Sequence, residues 1–195
     1  TTKVLTALLA LEKGNLSDVV TVGENAAASS FPADASLCGL QEGDQLTLGD
    51  LLYGLLLSSG NDAATAIAEH ISGSEEAFVE EMNARAKELM AVNTHFTNPH
   101  GLHDDNHYTT AYDLYLIFNT CIQNEEFMKV IETESYTASI KEADGSVRTE
   151  EWKPTNYYAR GIVNAPDGVT VVGGKTGTTG EAGYCLILLD RNSAD

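Results

Sequence analysis

The most informative segment of the sequence is residues 173–179, Gly-Gly-Lys-Thr-Gly-Thr-Thr. It follows a β-branched run at 169–172 and precedes an apolar run at 184–189, so the pattern predicts a strand, a glycine-rich edge, a turn and a second strand. A strand edge that carries a lysine and hydroxyl groups can pair with an extended peptide and hold its terminal carboxylate. Taken alone, Lys-Thr-Gly is equally typical of a tight turn with a solvated lysine, and both interpretations stay open at this point.

Charge narrows the classes of partner. The chain has 195 residues, of which 43% are hydrophobic and 21% charged, as in ordinary globular proteins. Its net charge of −18 argues against binding to nucleic acid and gives no attraction to an anionic membrane surface. Lys175 is one of only 11 basic side chains, so its place on a glycine edge hints at anion binding.

The cysteines and the first residues of the chain say less about the class of protein. Cys38, Cys121 and Cys185 match no zinc or redox spacing, and Cys185 is predicted to be a buried thiol inside a strand. We see no signal-peptide pattern in these residues and no apolar run of about 18 residues, the length expected of a spanning helix. Residues 1–11 already have a helical pattern, which we interpret as a segment of a longer protein.

Hydrophobic periodicity predicts an α-rich α+β protein with little sheet. Helices are expected at 3–13, 48–58, 62–71, 75–90 and 110–122, with a short one near 125–131. Short strands are expected at 19–22 and 45–47, and a hairpin at 135–152 that turns at Asp144-Gly145. Residues 91–109 form a long polar loop, and we expect a single domain over 1–195.

Two further segments could carry chemistry. Ser58-Ser59-Gly60-Asn61 joins two apolar helices, where Gly60 suits a C′ position and Asn61 or Asp62 an N-cap. The functional alternative has Ser59 as a proton shuttle and Asn61 as an amide partner in a cleft. Lys3 begins an apolar helix, either as a solvated lysine or as a buried base that activates a serine one turn before it.

Together the pieces follow the order Ser-x-x-Lys, Ser-x-Asn and Lys-Thr-Gly of penicillin-binding proteins and serine β-lactamases. The chain resembles the low-molecular-mass D-alanyl-D-alanine carboxypeptidases of the peptidase S11 family. The likeness lies in residues 57–64, 93–102 with 107–114, and 174–179. It implies part of a β-lactamase/transpeptidase-like fold, a helical cluster with a truncated antiparallel sheet, in a fragment cut at both ends.

The resemblance also implies roles. The nucleophilic serine would stand three residues before Lys3, at a position that this sequence does not contain, so we expect the fragment to be inactive. Lys3 would be the base, Ser59 the shuttle and Asn61 the ligand of the substrate amide. The substrate-binding residues would be Lys175, Thr176, Gly177 and Thr178: the lysine and the two threonines would receive the terminal carboxylate, and the Thr178 N–H would serve the oxyanion hole. The partners would be peptidoglycan stem peptides ending in D-Ala-D-Ala, and β-lactams, with no metal or cofactor, outside the cytoplasm at a bacterial cell envelope.

Alternatives remain. One is a non-catalytic cell-wall peptide-binding or scaffold module. Another is a β-lactamase, which is disfavoured because no Glu-x-x-x-Asn segment stands out between the second and third motifs. A metal site at His100, His103 and His107 is disfavoured because no helical face aligns them, and calcium at Asp104, Asp105 and Asp113 because the spacing is not that of an EF-hand. Unpaired sheet edges predict a homo-oligomer, which a monomer in light scattering at high concentration would contradict.

Overall fold

The structure, a computed structural model, describes residues 1–192. Its helices are α1 (Lys3–Lys13), α2 (Leu48–Leu56), α3 (Asn61–Ser72), α4 (Glu75–Glu88), α5 (Ala111–Cys121) and α6 (Glu125–Ile131). Its strands are β1 (Val19–Thr21), β2 (Gln45–Thr47), β3 (Tyr136–Lys141), β4 (Val147–Trp152), β5 (Val169–Thr179) and β6 (Gly183–Asn192). The α+β class is confirmed, and every predicted helix is present with its ends within about two residues of the prediction.

Helix α1 is the centre of the helical cluster. All of its residues from Lys3 to Ala10 are buried, and it contacts α2, α3, α4, α5 and α6. It ends at Lys13, as the sequence predicts, and Gly14 is its C-cap residue. Because α1 is enclosed on all sides, a polar side chain on its first turn is buried as well. Within residues 1–192, no helix combines the length and the apolar character needed to cross a bilayer.

The first sheet covers one side of the cluster. Its order is β1-β2-β3-β4, with antiparallel pairing throughout. The predicted hairpin is β3–β4, and Ala138 and Ile140 alternate with exposed residues so that one face joins the core. The sequence did not predict that β2 would pair with β3, because the two strands are far apart along the chain.

The second sheet is the antiparallel pair β5–β6, so the predicted strand, turn and second strand are present, but the strands are longer than predicted. The Lys-Thr-Gly segment was expected at an edge followed at once by a turn, but it lies inside β5, and Lys175 pairs with Ile187. The strand continues to Thr179, and the turn falls at 180–182. Backbone pairing with β6 outweighs the weak strand propensity of the glycines.

Gly173 lets β5 approach the helices closely. A β-carbon at this position would lie 2.3 Å from the carbonyl oxygen of Ile131, at the end of α6. The register of the pair also shifts between Val171 and Gly173, which bends the strand. The bend and the close approach set the position of Lys175 over the end of the helical cluster.

Strand β6 is partly exposed, and this corrects the prediction for Cys185. Ile187 and Leu189 pack against the core, whereas Tyr184 is 96% exposed. Cys185 shares the inward face but is only half-buried, because it lines an open cleft. Within residues 1–192, β6 forms one edge of its sheet.

The loop 91–109 has neither helix nor strand, as predicted, apart from an isolated bridge between His95 and Tyr108. The buried carboxylate of Asp113, in the first turn of α5, accepts hydrogen bonds from Asn93 N at 2.7 Å and Thr94 Oγ1 at 2.8 Å. These bonds fix one end of the loop on the helix.

Candidate active site

The three motif segments meet at one cleft. It has a volume of about 1110 Å³ and is walled by the start of α1, the α2–α3 corner, loop 96–109 and β5. Six of the seven predicted site residues line it: Lys3, Ser59, Asn61, Thr176, Gly177 and Thr178. The seventh, Lys175, lies behind this surface and reaches Ser59 with its Nζ. The structure thus brings together residues separated by up to 175 positions in the sequence.

Lys3 is a buried amine with two fixed acceptors. Its side chain is 6% exposed, and Nζ donates to Asn61 Oδ1 at 2.7 Å and to the His100 carbonyl at 2.5 Å. Burial, followed by the charge of Lys175, lowers the pKa of Lys3 to about 7. A neutral amine has two hydrogens and one lone pair. When both hydrogens are used on these acceptors, the lone pair remains to take a proton.

Ser59 has a strained backbone. Its φ is +58°, in the left-handed region where residues other than glycine cost about 1–3 kcal/mol. The sequence predicted Gly60 as the C′ residue of the preceding helix, and this is wrong: Gly60 has φ −62° and is the N-cap of α3. The left-handed residue is Ser59 itself, so the chain turns there and its Oγ enters the cleft.

Asn61 is the first residue of α3, and its neighbour anchors it. The Asn61 backbone N–H donates to Ser36 O at 2.8 Å. The fully buried Asp62 carboxylate accepts from the backbone N–H groups of Cys38 and Leu40 at 2.9 and 3.1 Å. Asp62 therefore ties the corner to the segment 36–40. The sequence indicated Asp62 only as a possible cap, because its partners are some 20 residues away.

Lys175 is a buried cation. It is 2% exposed, and Nζ donates to Ser59 Oγ and to the Thr176 carbonyl, both at 2.9 Å. Burial lowers its pKa to about 8. Within residues 1–192, no carboxylate lies within ion-pair distance of Lys175 or Lys3. Buried charges are normally paired with an opposite charge, so an anionic group bound beside Lys175 would be stabilised.

The rest of β5 forms the opposite wall. Thr176 Oγ1 lies 2.5 Å from Thr155 Oγ1, which holds the segment 155–158 against the strand. A β-carbon at Gly177 would lie 2.5 Å from the backbone nitrogen of Thr1. The glycine therefore allows the start of α1 to abut β5, which brings Lys3 and Thr178 to the same cleft.

The histidines of the loop have contacts that the sequence did not reveal. His107 Nε2 lies 2.7 Å from Thr2 Oγ1, and the Leu102 N–H donates to His100 Nδ1 at 3.1 Å. Burial lowers the pKa of His100 to about 3 and that of His107 to about 4, so both rings are neutral near pH 7. His103 lies outside this set, near surface carboxylates. In the part of the chain that the structure describes, no three His, Cys, Asp or Glu side chains are grouped to hold a metal.

Comparison with known proteins agrees with this geometry. The D-alanyl-D-alanine carboxypeptidase family, peptidase S11, matches residues 1–193. D-alanyl-D-alanine carboxypeptidase DacF of Bacillus subtilis (strain 168) is 39% identical over 190 residues, which cover 95% of this chain and 45% of the relative. D-alanyl-D-alanine carboxypeptidase of Streptomyces sp. (strain K15) is 37% identical over 199 residues, 96% of this chain and 65% of the relative.

Solved structures show the same fold. The crystal structure of the Streptomyces K15 DD-transpeptidase matches with a TM-score of 0.85 at 35% identity, over 96% of this chain and 72% of that one. Penicillin binding protein 5 from Haemophilus influenzae matches with a TM-score of 0.83 at 34% identity, over all of this chain and 54% of that one. The predicted transpeptidase-like fold is confirmed.

The fold and its cleft place the chain in the class of the penicillin-binding DD-peptidases. The chain belongs to the D-alanyl-D-alanine carboxypeptidase family, peptidase S11. It spans about half the length of the curated relatives it matches, 45% and 65% of the two named above.

Proposed function

We propose that the protein is a serine-type DD-carboxypeptidase that forms an acyl-enzyme with peptides ending in D-Ala-D-Ala and with β-lactams. The observation that carries the proposal is the pair of buried lysines, neither with a carboxylate partner within residues 1–192, on either side of Ser59 and Asn61. Their pKa values, about 7 for Lys3 and about 8 for Lys175, suit one lysine to the role of base and the other to the role of cation.

In this account the nucleophile is a serine three residues before Lys3. A residue bonded to the Thr1 nitrogen would lie near Gly177, because a β-carbon at Gly177 would be only 2.5 Å from that nitrogen. The serine Oγ attacks the carbonyl carbon of the penultimate D-alanine, and its proton passes to Lys3 Nζ. The negative charge that develops on the carbonyl oxygen is held by the N–H of Thr178 and by the serine's own N–H.

Collapse of the tetrahedral intermediate breaks the C–N bond. The departing nitrogen of D-alanine needs a proton, and Ser59 supplies it. Because Lys175 donates to Ser59 Oγ, the serine's own hydroxyl proton is free to be given away, and Lys3 replenishes it. The product is an ester, which water hydrolyses by the reverse proton path to return the free serine.

The substrate is held at both ends of the reacting bond. Asn61 Oδ1 accepts a hydrogen bond from Lys3, so its Nδ2 can donate to a substrate carbonyl. The hydroxyls of Thr176 and Thr178 receive the terminal carboxylate, and the positive charge of Lys175, just behind the cleft surface, attracts it. A desolvated cation gives a stronger attraction than a surface lysine in a chain of net charge −18.

The cellular setting follows from this substrate. We propose that the protein works outside the cytoplasm at a bacterial cell envelope, where peptidoglycan lies. The edge strand β6 remains our candidate for contact between copies, and sedimentation at several protein concentrations would reveal it.

The test is release of D-alanine by the product of the complete gene. A synthetic peptide ending in D-Ala-D-Ala is expected to be cleaved, and its C-terminal amide to be cleaved at least tenfold more slowly, because the amide cannot pair with Lys175. Fluorescent penicillin is expected to label the protein covalently.

The alternatives give different outcomes in the same assay. Neither cleavage nor labelling would favour a non-catalytic peptide-binding module. Rapid turnover of penicillin without peptide cleavage would favour a β-lactamase.

A further inference from the structure

The loop 97–107 is fastened to the first turns of α1. Three side chains make the connection, one on each of Thr2, Lys3 and Thr6. Lys3 Nζ donates to the His100 carbonyl at 2.5 Å, and Thr6 Oγ1 donates to the Pro99 carbonyl at 2.6 Å. The third bond, between Thr2 Oγ1 and His107 Nε2 at 2.7 Å, is the one made by a loop side chain.

The protonation of His107 can be assigned from its partners. The backbone N–H of Thr97 lies 3.1 Å from His107 Nδ1, and a backbone amide can only donate. Nδ1 therefore carries the lone pair. In the neutral ring the proton is then on Nε2, which donates it to Thr2 Oγ1. Burial lowers the pKa of His107 to about 4, which keeps the ring neutral near pH 7.

Thr2, at the start of α1, is held by the loop rather than by the helix. It occupies the N-cap position of α1, yet its side chain makes no capping hydrogen bond. Its hydroxyl is used on His107 instead. On another side, Gly101, with φ +89°, comes so close that a β-carbon there would lie 2.9 Å from Thr2 Oγ1. The loop thus encloses Thr2 through a hydrogen bond and through contact.

We propose that His107 is a positioning residue for acyl transfer: through Nε2–H and Thr2 Oγ1 it fixes the first turn of α1, and with it the spacing between Lys3 and β5. The inference rests on the proposed function, because it concerns the rate of that reaction. Misplacing a reacting group by about 1 Å can cost on the order of 10²-fold in rate. His107 touches neither Lys3 nor β5 in the hydrogen bonds of residues 1–192, so its effect passes through Thr2.

Two substitutions of His107 distinguish the hydrogen bond at Nε2 from the one at Nδ1. In His107→Asn the short side chain keeps an acceptor near Nδ1 for Thr97 and loses the donor to Thr2. In His107→Gln the longer side chain keeps a donor near Nε2. In the complete gene product, we expect penicillin acylation to fall about 10–100-fold in His107→Asn and by less than about threefold in His107→Gln.

A double-mutant cycle tests the route through Thr2. Thr2→Val removes the partner hydroxyl and is expected to match the loss in His107→Asn, while the double variant loses no more than either alone. Thr2→Ser, which keeps the hydroxyl, is expected to restore acylation. The fall should appear in the acylation step, with reversible penicillin binding and the thermal midpoint nearly unchanged. Additive losses, or equal rates in His107→Asn and wild type, would overturn the proposal.

A second readout does not depend on acylation. Long-range ¹H–¹⁵N correlation of the His107 ring is expected to show the proton on Nε2 in wild type, with a changed Nε2 signal in Thr2→Val. A wild-type protein that is not acylated would refute the proposed function, whereas a ring protonated on Nδ1 would refute the assignment of His107 by itself.

Discussion

Acylation by penicillin is expected to slow by about 10²–10⁴-fold when Lys3 is replaced with glutamine, the range that general-base catalysis supplies. The amine is buried, and its two acceptors, Asn61 Oδ1 and the His100 carbonyl, leave the lone pair for the nucleophile. A glutamine amide can still donate to these acceptors, so the variant is expected to fold. The measurement is the second-order acylation rate constant of the complete gene product.

The dependence of the acylation rate on pH should show which lysine is the base and which is the cation. The base is neutral Lys3, so the rate should rise as the pH increases through its pKa of about 7. The cation is Lys175, so the rate should fall as the pH increases through its pKa of about 8. We expect a bell-shaped profile, and the rising limb should vanish in Lys3→Gln.

Lys129→Gln is the matched control, since Lys129 is exposed and pairs with Glu126 one turn away. A Lys3→Gln protein acylated within threefold of wild type would contradict the assignment of the base.

The second large effect is expected from Lys175→Met. Losing the attraction of this cation for the substrate carboxylate is expected to cost about as much as a hydrogen bond to a charged group, about 1.5–3 kcal/mol, which corresponds to a roughly 10–150-fold lower kcat/KM for the D-Ala-D-Ala peptide. The Lys175 charge is also the second cause of the lowered pKa of Lys3. Its removal should therefore move the rising limb of the pH profile to higher pH.

As the pH rises through the pKa of Lys175, we expect the free energy of unfolding to increase while the catalytic rate falls. Lys175 has a pKa of about 8 when folded and 10.5 in its ordinary state, so between these values the unfolded chain binds more protons. Wild-type stability therefore rises with pH across that window, and the rise should shrink in Lys175→Met.

The thermal midpoint of Lys175→Met at pH 7 should not fall, because a buried unpaired charge is replaced by an apolar side chain of similar length. Lys153→Met, at an exposed lysine, is the control. Unchanged kcat/KM in Lys175→Met would contradict the carboxylate site.

The parts of this structure that follow local rules could be predicted from the sequence. The helices repeat apolar residues at the helical period, and the hairpin β3–β4 has its Asp-Gly turn, so both were predicted with nearly correct bounds. The motif residues were found because their types and order match a known constellation. The buried environments of Lys3 and Lys175 remained open, because burial depends on segments far away in the chain.

The wrong or missing predictions share one physical cause: each depends on contacts between segments that are far apart in the sequence. Strand β5 includes its glycines because β6 forms backbone hydrogen bonds with it. At the α2–α3 corner, which the hydrogen bonds of Asp62 hold in place, the left-handed residue is Ser59 and not Gly60. Cys185 faces inward, but onto an open cleft. The bond between His107 and Thr2 spans 105 positions, and no local pattern indicates it.

The position of the acyl group identifies the nucleophile. The complete gene product is treated with benzylpenicillin, digested, and mapped by tandem mass spectrometry. We expect one penicilloyl group, on a serine three residues before Lys3, and none in Lys3→Gln over the same short exposure. An adduct on Ser59, or none on the wild-type protein, would show that the nucleophile is assigned wrongly.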